Sequence, residues 1–260
     1  VNYGKVLEKG FSSIIKEAED EMALERVSDG NYCKKHAFLE AVIISCKAAI
    51  TYAKRYSKLA VELAAKETDG ARKAELEKIA ANCDRVPEYG ARDFYEACQS
   101  FWFIQMLIQT ESSGHSISPG RFDQYMFPYY EISRKNGMTR EYAQELMDCV
   151  WVKLNDLNKC RDAVSAEGFA GYSLFQNLIA GGQDVNGRDA TNDLSFMSIN
   201  ATEHVFLPQP SFSVRVWNGS PHEFLIRAAE LTRTGIGFPA YYNDEVIIPS
   251  LMSRGLTLED

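Results

Sequence analysis

The stretch that decides the fold is "PQPSFSVRVW", residues 208–217. Phe212, Val214 and Val216 alternate with Ser211, Ser213 and Arg215, the period of two that sends successive side chains to opposite faces of a strand. Most of the remaining chain has helical period. One clear strand within it makes the class α/β, helix-rich, with short strands separated by long helical excursions.

On the C-terminal side, "SPHEFLIRAAELTRTG" (220–235) reads as a capped helix stopped by Gly235, and "FPAYYNDEVIIPSLMSRG" (238–255) as a turn followed by a short helix. On the N-terminal side, "LSFMSINATEHV" (194–205) is helical. Before it, Gly168, Gly171, Gly181, Gly182 and Gly187 punctuate residues 167–193, as where backbone is closely approached. Helices are expected over residues 5 to 25 and 35–67, the middle of the second being apolar all round and therefore expected to be buried. Others follow over 70–86 after the Asp69-Gly70 break, over 91–111, and over 139–163 with Thr139 as its cap. The aromatic stripe Phe94, Tyr95, Phe101, Trp102 and Phe103 is core packing rather than a cofactor box.

At 260 residues and 45% hydrophobic, the chain can bury a sizeable core. A net charge of -8 without a basic run argues against nucleic-acid or anionic-membrane partners. The apolar runs are interrupted by polar residues, so none reads as a membrane span. The six cysteines show no CxxC pairing, and buried free thiols are expected. The chain opens on "VNYGKV" and closes on "TLED", which resembles a helix start without its helix; both suggest an internal piece of a longer protein.

The chemistry-bearing stretch is "ESSGHSISPGR" (111–121). Gly114 stands where a helix-ending glycine belongs, and Pro119-Gly120 is a turn signal. His115 and Ser116 lie between them, able to donate, accept and relay a proton near neutral pH. From the residues alone, an ordinary loop and a substrate-binding pair both stay open. Arg121 and Asp123 suggest an ion pair fixing the turn. Asp184, Asp189 and Asp193 lack EF-hand spacing and read as structural caps. His36, His204 and His222 are isolated in the sequence, and no metal site is expected. With no nucleophile elbow, P-loop, HExxH or dinucleotide fingerprint, the residues describe an enzyme-like domain without naming its reaction.

Four stretches carry a resemblance: "ESSGHSISPGRFDQYMFPYY" (111–130), "GYSLFQNLIAGGQDVNGRDATNDLSFM" (171–197), "LPQPSFSVRVWNGSP" (207–221) and "RTGIGFPAYYNDEVIIPSLMSRGLTLED" (233–260). They resemble the glycyl radical enzymes of the pyruvate formate-lyase superfamily, in the diol-dehydratase branch typified by B12-independent glycerol dehydratase. The resemblance implies that residues 1–260 are an internal, helix-rich part of a ten-stranded α/β barrel. The family's cysteine-glutamate loop, radical glycine and Gly-Val-Gly-His histidine would all lie outside these residues, so no catalytic residue is expected within them.

His115 and Ser116 match the pair that hydrogen-bonds substrate hydroxyls in that branch. Phe175 matches an aromatic cavity position that is tyrosine in the glycerol enzyme; the missing hydroxyl leaves room for 1,2-propanediol or another substrate. The implied reaction is radical C–O cleavage. A thiyl radical takes hydrogen from the carbon bearing one hydroxyl, the glutamate deprotonates that hydroxyl, and the neighbouring hydroxyl leaves as water, assisted by a proton donor. The resemblance further implies a glycyl radical installed by an S-adenosylmethionine iron–sulfur activase, an anaerobic cytoplasmic setting and a homodimer. Hydroxyproline dehydratase, isethionate sulfite-lyase, choline lyase, formate acetyltransferase and a non-catalytic domain on the same scaffold are the alternatives.

Overall fold

The computed structural model describes residues 1–112, 114, 116–157, 162–168 and 174–257. They fall into two compact units, Asn2–Leu107 and Ile108–Asp260 with Val1.

The first unit is helical. It holds α1 (Tyr3–Ala23), α2 (Tyr32–Lys66), α3 (Gly70–Arg85) and most of α4 (Phe94–Glu111). The Asn2 side chain caps α1 through the Lys5 amide, and Asp69 caps α3 through Ala71 and Arg72. Helix α1 is broken at Gly10, where φ is +74°. There the segment after α3 crosses it: the Phe11 and Ser12 amides donate to the Pro87 and Glu88 carbonyls, at 2.8 and 3.0 Å. A Cβ on Gly10 would sit 2.3 Å from the Glu88 carbonyl oxygen, so only glycine allows the crossing.

The expectation for α2 is corrected. Its buried line is Leu39, Cys46, Ala49, Ala53, Ser57, Ala60 and Ala64, a narrow seam of mostly small residues, while Phe38, Ile44, Leu59, Val61 and Leu63 are exposed. Small side chains let α2 lie against α1 and α3 along this seam, and one seam covers only one face. By length and composition alone α2 could also cross a membrane, a feature the interrupted-run criterion passed over.

The second unit is the α/β part. In order come α5 (Phe122–Lys135), α6 (Arg140–Asp156), α7 (Ala163–Gly168), β1 (Asn177–Gly181), α8 (Asp193–Val205), β2 (Ser211–Val216), α9 (His222–Arg233), β3 (Ala240–Asn243) and α10 (Asp244–Met252). The strands form a parallel sheet in the order β1-β2-β3, with Leu178 opposite Phe212 and Val214 opposite Tyr241. Helices α8 and α9 supply the crossovers that parallel strands require. Thr139 caps α6 as expected, Asn192 and Ser195 form a capping box on α8, and Asn243 caps α10.

The expected strand is present as β2, but burial does not alternate along it: Phe212, Ser213 and Val214 are buried in succession, and Ser211, Arg215 and Val216 are partly exposed. Burial on both faces is normal for a parallel strand. Helix α5 and strands β1 and β3 are additions to the sequence reading. Phe122, Met126, Tyr130 and Ser133 do mark one buried face of α5, but Pro128 inside it masks the helical signal. The four residues of β3 are all exposed and leave no alternation to read. Cys46 and Cys83 are buried free thiols, as expected, and Cys98 is buried, whereas Cys33 and Cys149 are exposed; Cys160 lies outside the described residues.

Candidate functional site

Helix α4 ends at the expected glycine. Gly114 has φ +72°, and its amide reaches back to the Gln109 carbonyl at 2.6 Å. His115 lies outside the described residues. Ser116 is exposed and has φ +54°, a left-handed conformation rare outside glycine, asparagine and aspartate. Beyond it the loop is tied down at every step. The Ile117 carbonyl accepts from Gln109 Nε2 at 3.3 Å, the Ser118 hydroxyl accepts from the Asn177 amide at 3.3 Å, and the Pro119 carbonyl accepts from the Tyr125 hydroxyl at 3.0 Å.

Gly120, at φ +68° in the expected turn, then pairs with β1 as a one-residue parallel bridge to Leu178. Its amide donates to the Asn177 carbonyl at 3.0 Å and its carbonyl accepts from the Ile179 amide at 2.8 Å.

This pairing joins two segments far apart in sequence. Two residues before Asn177 stands Phe175, half-exposed, with φ +50°. Its neighbours Leu174 and Gln176 are fully buried. Gln176 is anchored twice, its amide donating to Gln209 Oε1 at 2.9 Å and its Nε2 to the Leu154 carbonyl at 2.7 Å. With both neighbours fixed inward, Phe175 is turned outward in a conformation that costs a bulky residue roughly 1–3 kcal/mol. Strain of this kind is concentrated at binding sites, and here Ser116 and Phe175 both carry it, on segments that Ser118, Gly120 and Asn177 clasp together.

At the C-terminal end of the strands the chemistry is structural. Arg121 and Asp123 form no pair with each other, contrary to expectation. Arg121 donates to the carbonyls of Gln183 (2.9 Å) and Gly181 (3.0 Å), while Asp123 Oδ2 accepts from the Gly181 amide (2.8 Å) and the Ser195 hydroxyl (2.6 Å). Each therefore clamps the end of β1 from its own side. Burial raises the Asp123 carboxyl above its ordinary range, against the Ser195 and Gly181 hydrogen bonds and the charge of Arg121; burial, reinforced by Arg215, lowers the Arg121 guanidinium.

The glycines behave as expected at two positions, and what approaches them is the protein itself. A Cβ on Gly181 would meet the Phe224 ring at 2.8 Å, and one on Gly182 the Arg215 Cβ at 2.6 Å. Gly168 and Gly187 have no such neighbour, and Gly171 lies outside the described residues.

The aspartates of this region are structural acceptors rather than the caps read from the sequence; Asn192, not Asp193, caps α8. Asp184 takes the Asn186 and Arg188 amides, Asp189 takes the Thr191 hydroxyl, and Asp193 pairs with Arg134 and Arg140. Among the described residues no group of three or more His, Cys, Asp or Glu could hold a metal ion. Two of the histidines isolated in sequence gain carboxylate partners in space, His36 with Glu25 at 2.8 Å and His204 with Asp148 at 2.9 Å; His222 begins α9 as read. The residues sequence reasoning missed are the anchors Gln109, Ser118 and Gln176, whose partners lie 8, 59 and up to 33 residues away and leave no local signature.

Comparison with known proteins extends the geometry. Residues 1–260 match the family model described as Pyruvate formate lyase-like. A solved structure concerned with 1,2-propanediol dehydration in Roseburia inulinivorans shares 66% identity at a TM-score of 0.96, covering 100% of this chain and 33% of its own. The glycerol-bound B12-independent glycerol dehydratase of Clostridium butyricum shares 60% at a TM-score of 0.95, again over 100% of this chain and 33% of its own. The isethionate sulfite-lyase of Desulfovibrio desulfuricans shares 41% over 100% of this chain and 32% of its own length. The chain thus spans about a third of the length of these relatives.

Proposed function

We propose that this chain, which belongs to the pyruvate formate lyase-like family, is part of a glycyl radical dehydratase that acts on a small diol. The observation that carries this reading is the step in identity. Over the whole chain, the relatives named for 1,2-propanediol and glycerol stand at 66% and 60%, well above the 41% of the sulfite-lyase. Residues 1–260 would be an internal part of the catalytic barrel.

Within that enzyme these residues bind and orient. The Ser116 hydroxyl, exposed on its clasped loop, would donate to or accept from one substrate hydroxyl, and His115 would hold another. Phe175 offers an apolar ring without a polar handle, which suits the methyl group of 1,2-propanediol better than the third hydroxyl of glycerol. Fixing both hydroxyls sets which C–O bond breaks, and an apolar wall keeps bulk water from the reacting carbons.

The five described cysteines all lie on helices α2, α3, α4 and α6 rather than in a loop. Burial pushes the Cys46 thiol up and that of Cys83 to about 11. None fits the family's reactive cysteine. Hydrogen abstraction would be supplied by a thiol and a glycyl radical outside these residues, the radical being installed by an S-adenosylmethionine iron–sulfur activase. The same reading carries a homodimer in an anaerobic cytoplasm.

The test uses the full-length protein, activated anaerobically and offered 1,2-propanediol, glycerol, isethionate and trans-4-hydroxy-L-proline separately. Propanal from propanediol is the expected main product. Sulfite from isethionate as the fastest reaction, or no aldehyde while the glycyl radical is visible by electron paramagnetic resonance, would overturn the reading.

A further inference from the structure

Both ends of the tetrapeptide 114–117, which contains His115 and Ser116, are held by one residue. The Gln109 backbone carbonyl accepts from the Gly114 amide at 2.6 Å, and its side-chain Nε2 donates to the Ile117 carbonyl at 3.3 Å. A carbonyl can only accept, so the amide orientation is set by chemistry: Nε2 must face Ile117. Gln109 is 2% exposed, and its Oε1 is buried without a hydrogen-bond partner among the described residues. A buried amide with an unsatisfied oxygen is unfavourable for packing, and natural cores keep few of them. What this amide does in return is tie the loop. Ser116 between the two ties keeps φ +54°, from which an untethered serine would relax to a negative value.

We infer that Gln109 is a positioning residue for substrate binding: its carbonyl and its side-chain amide tie Gly114 and Ile117 on either side of Ser116 and hold the Ser116 hydroxyl in its strained, exposed presentation. Glutamine suits the task because it combines an uncharged donor with the length to span from the last turn of α4 to Ile117. Asparagine is one methylene shorter, and methionine fills the same volume without a donor. The inference rests on the substrate-binding reading of Ser116.

The experiment compares Gln109→Met, Gln109→Asn, Ser116→Ala and the double variant Gln109→Met/Ser116→Ala in the full-length enzyme with 1,2-propanediol, after quantifying the glycyl radical in each. Both Gln109 variants should raise KM roughly three- to ten-fold, the scale of one neutral hydrogen bond to substrate, with kcat per radical little changed. Gln109→Met should add almost nothing to Ser116→Ala, because it acts through the hydroxyl already removed. A raised KM in Ser116→Ala with KM within about two-fold of wild type in a soluble Gln109 variant refutes the positioning role alone. Multiplying effects in the double variant refute it too. An unchanged KM in Ser116→Ala refutes the binding reading itself, and the role of Gln109 with it.

Discussion

Asp244 is the residue whose loss the fold should feel most sharply. It is the first residue of α10 and 1% exposed, and it receives Arg215 in two bonds, Nε at 2.6 Å and Nη2 at 2.9 Å, together with the Gln183 amide at 2.8 Å. One carboxylate thus joins the end of β2, the loop after β1 and the start of α10. Replacing it with alanine leaves a guanidinium and a backbone N–H without acceptors. Breaking a buried pair from one side costs about 3–5 kcal/mol. Arg215 is 21% exposed, so water can reach part of it, and the lower end applies, about 3 kcal/mol.

Removing both charges, as Arg215→Met/Asp244→Ala, should cost less than the single change, because only the Gln183 amide is then stranded, at about 1–3 kcal/mol. The lost contacts are confined to one junction, so a local readout reports on them more directly than a global midpoint. Amide hydrogen exchange at Gln183 in the full-length protein supplies it, and about 3 kcal/mol corresponds to roughly a hundred-fold faster exchange in Asp244→Ala. Acceleration below about five-fold, or a double variant exchanging faster than the single one, would show that the pair does not hold this junction.

Gly182→Ala meets two obstacles, φ +82° and an Arg215 Cβ 2.6 Å from the new methyl. A loss of at least roughly 2 kcal/mol is expected from left-handed strain and overpacking, and wild-type thermal stability in this variant would contradict the geometry. Burial raises the Cys83 thiol to about 11 from 9.0, so the unfolded chain ionises first as pH rises. The stabilisation is therefore whole below pH 9, declines between about 9 and 11, and amounts to at most about 2–3 kcal/mol. Cys83→Ala should flatten that alkaline decline in urea titrations, and identical pH profiles for the two proteins would argue against it. His115→Gln in the full-length enzyme should raise KM several-fold with the glycyl radical intact, in line with one lost hydrogen bond. A kcat loss of roughly a thousand-fold would instead make His115 the proton donor to the leaving hydroxyl.

The sequence by itself determined the features that local physics controls. The 3.6 period with the Asp69-Gly70 break and the Thr139 cap place α3 and α6, the period of two places β2, and Gly114 and Pro119-Gly120 bound the loop, because each signal acts within a few residues of itself. Resemblance then named the family, which periodicity could not reach. Tertiary structure alone decided the rest. Strands β1 and β3, of 5 and 4 residues, exist only because β2 lies between them. The α2 seam is selected by what packs on it, so its apolar residues could not be sorted into buried and exposed beforehand. Arg121 and Asp123 abandon each other for Gly181, a partner about sixty residues away. The candidate site depends on the Ser118 and Gly120 bonds to Asn177, which set Ser116 and Phe175 on clasped segments. Hydrogen bonds between backbone groups so far apart carry no residue pattern, since every residue but proline offers the same donor and acceptor, and only the folded chain chooses among them.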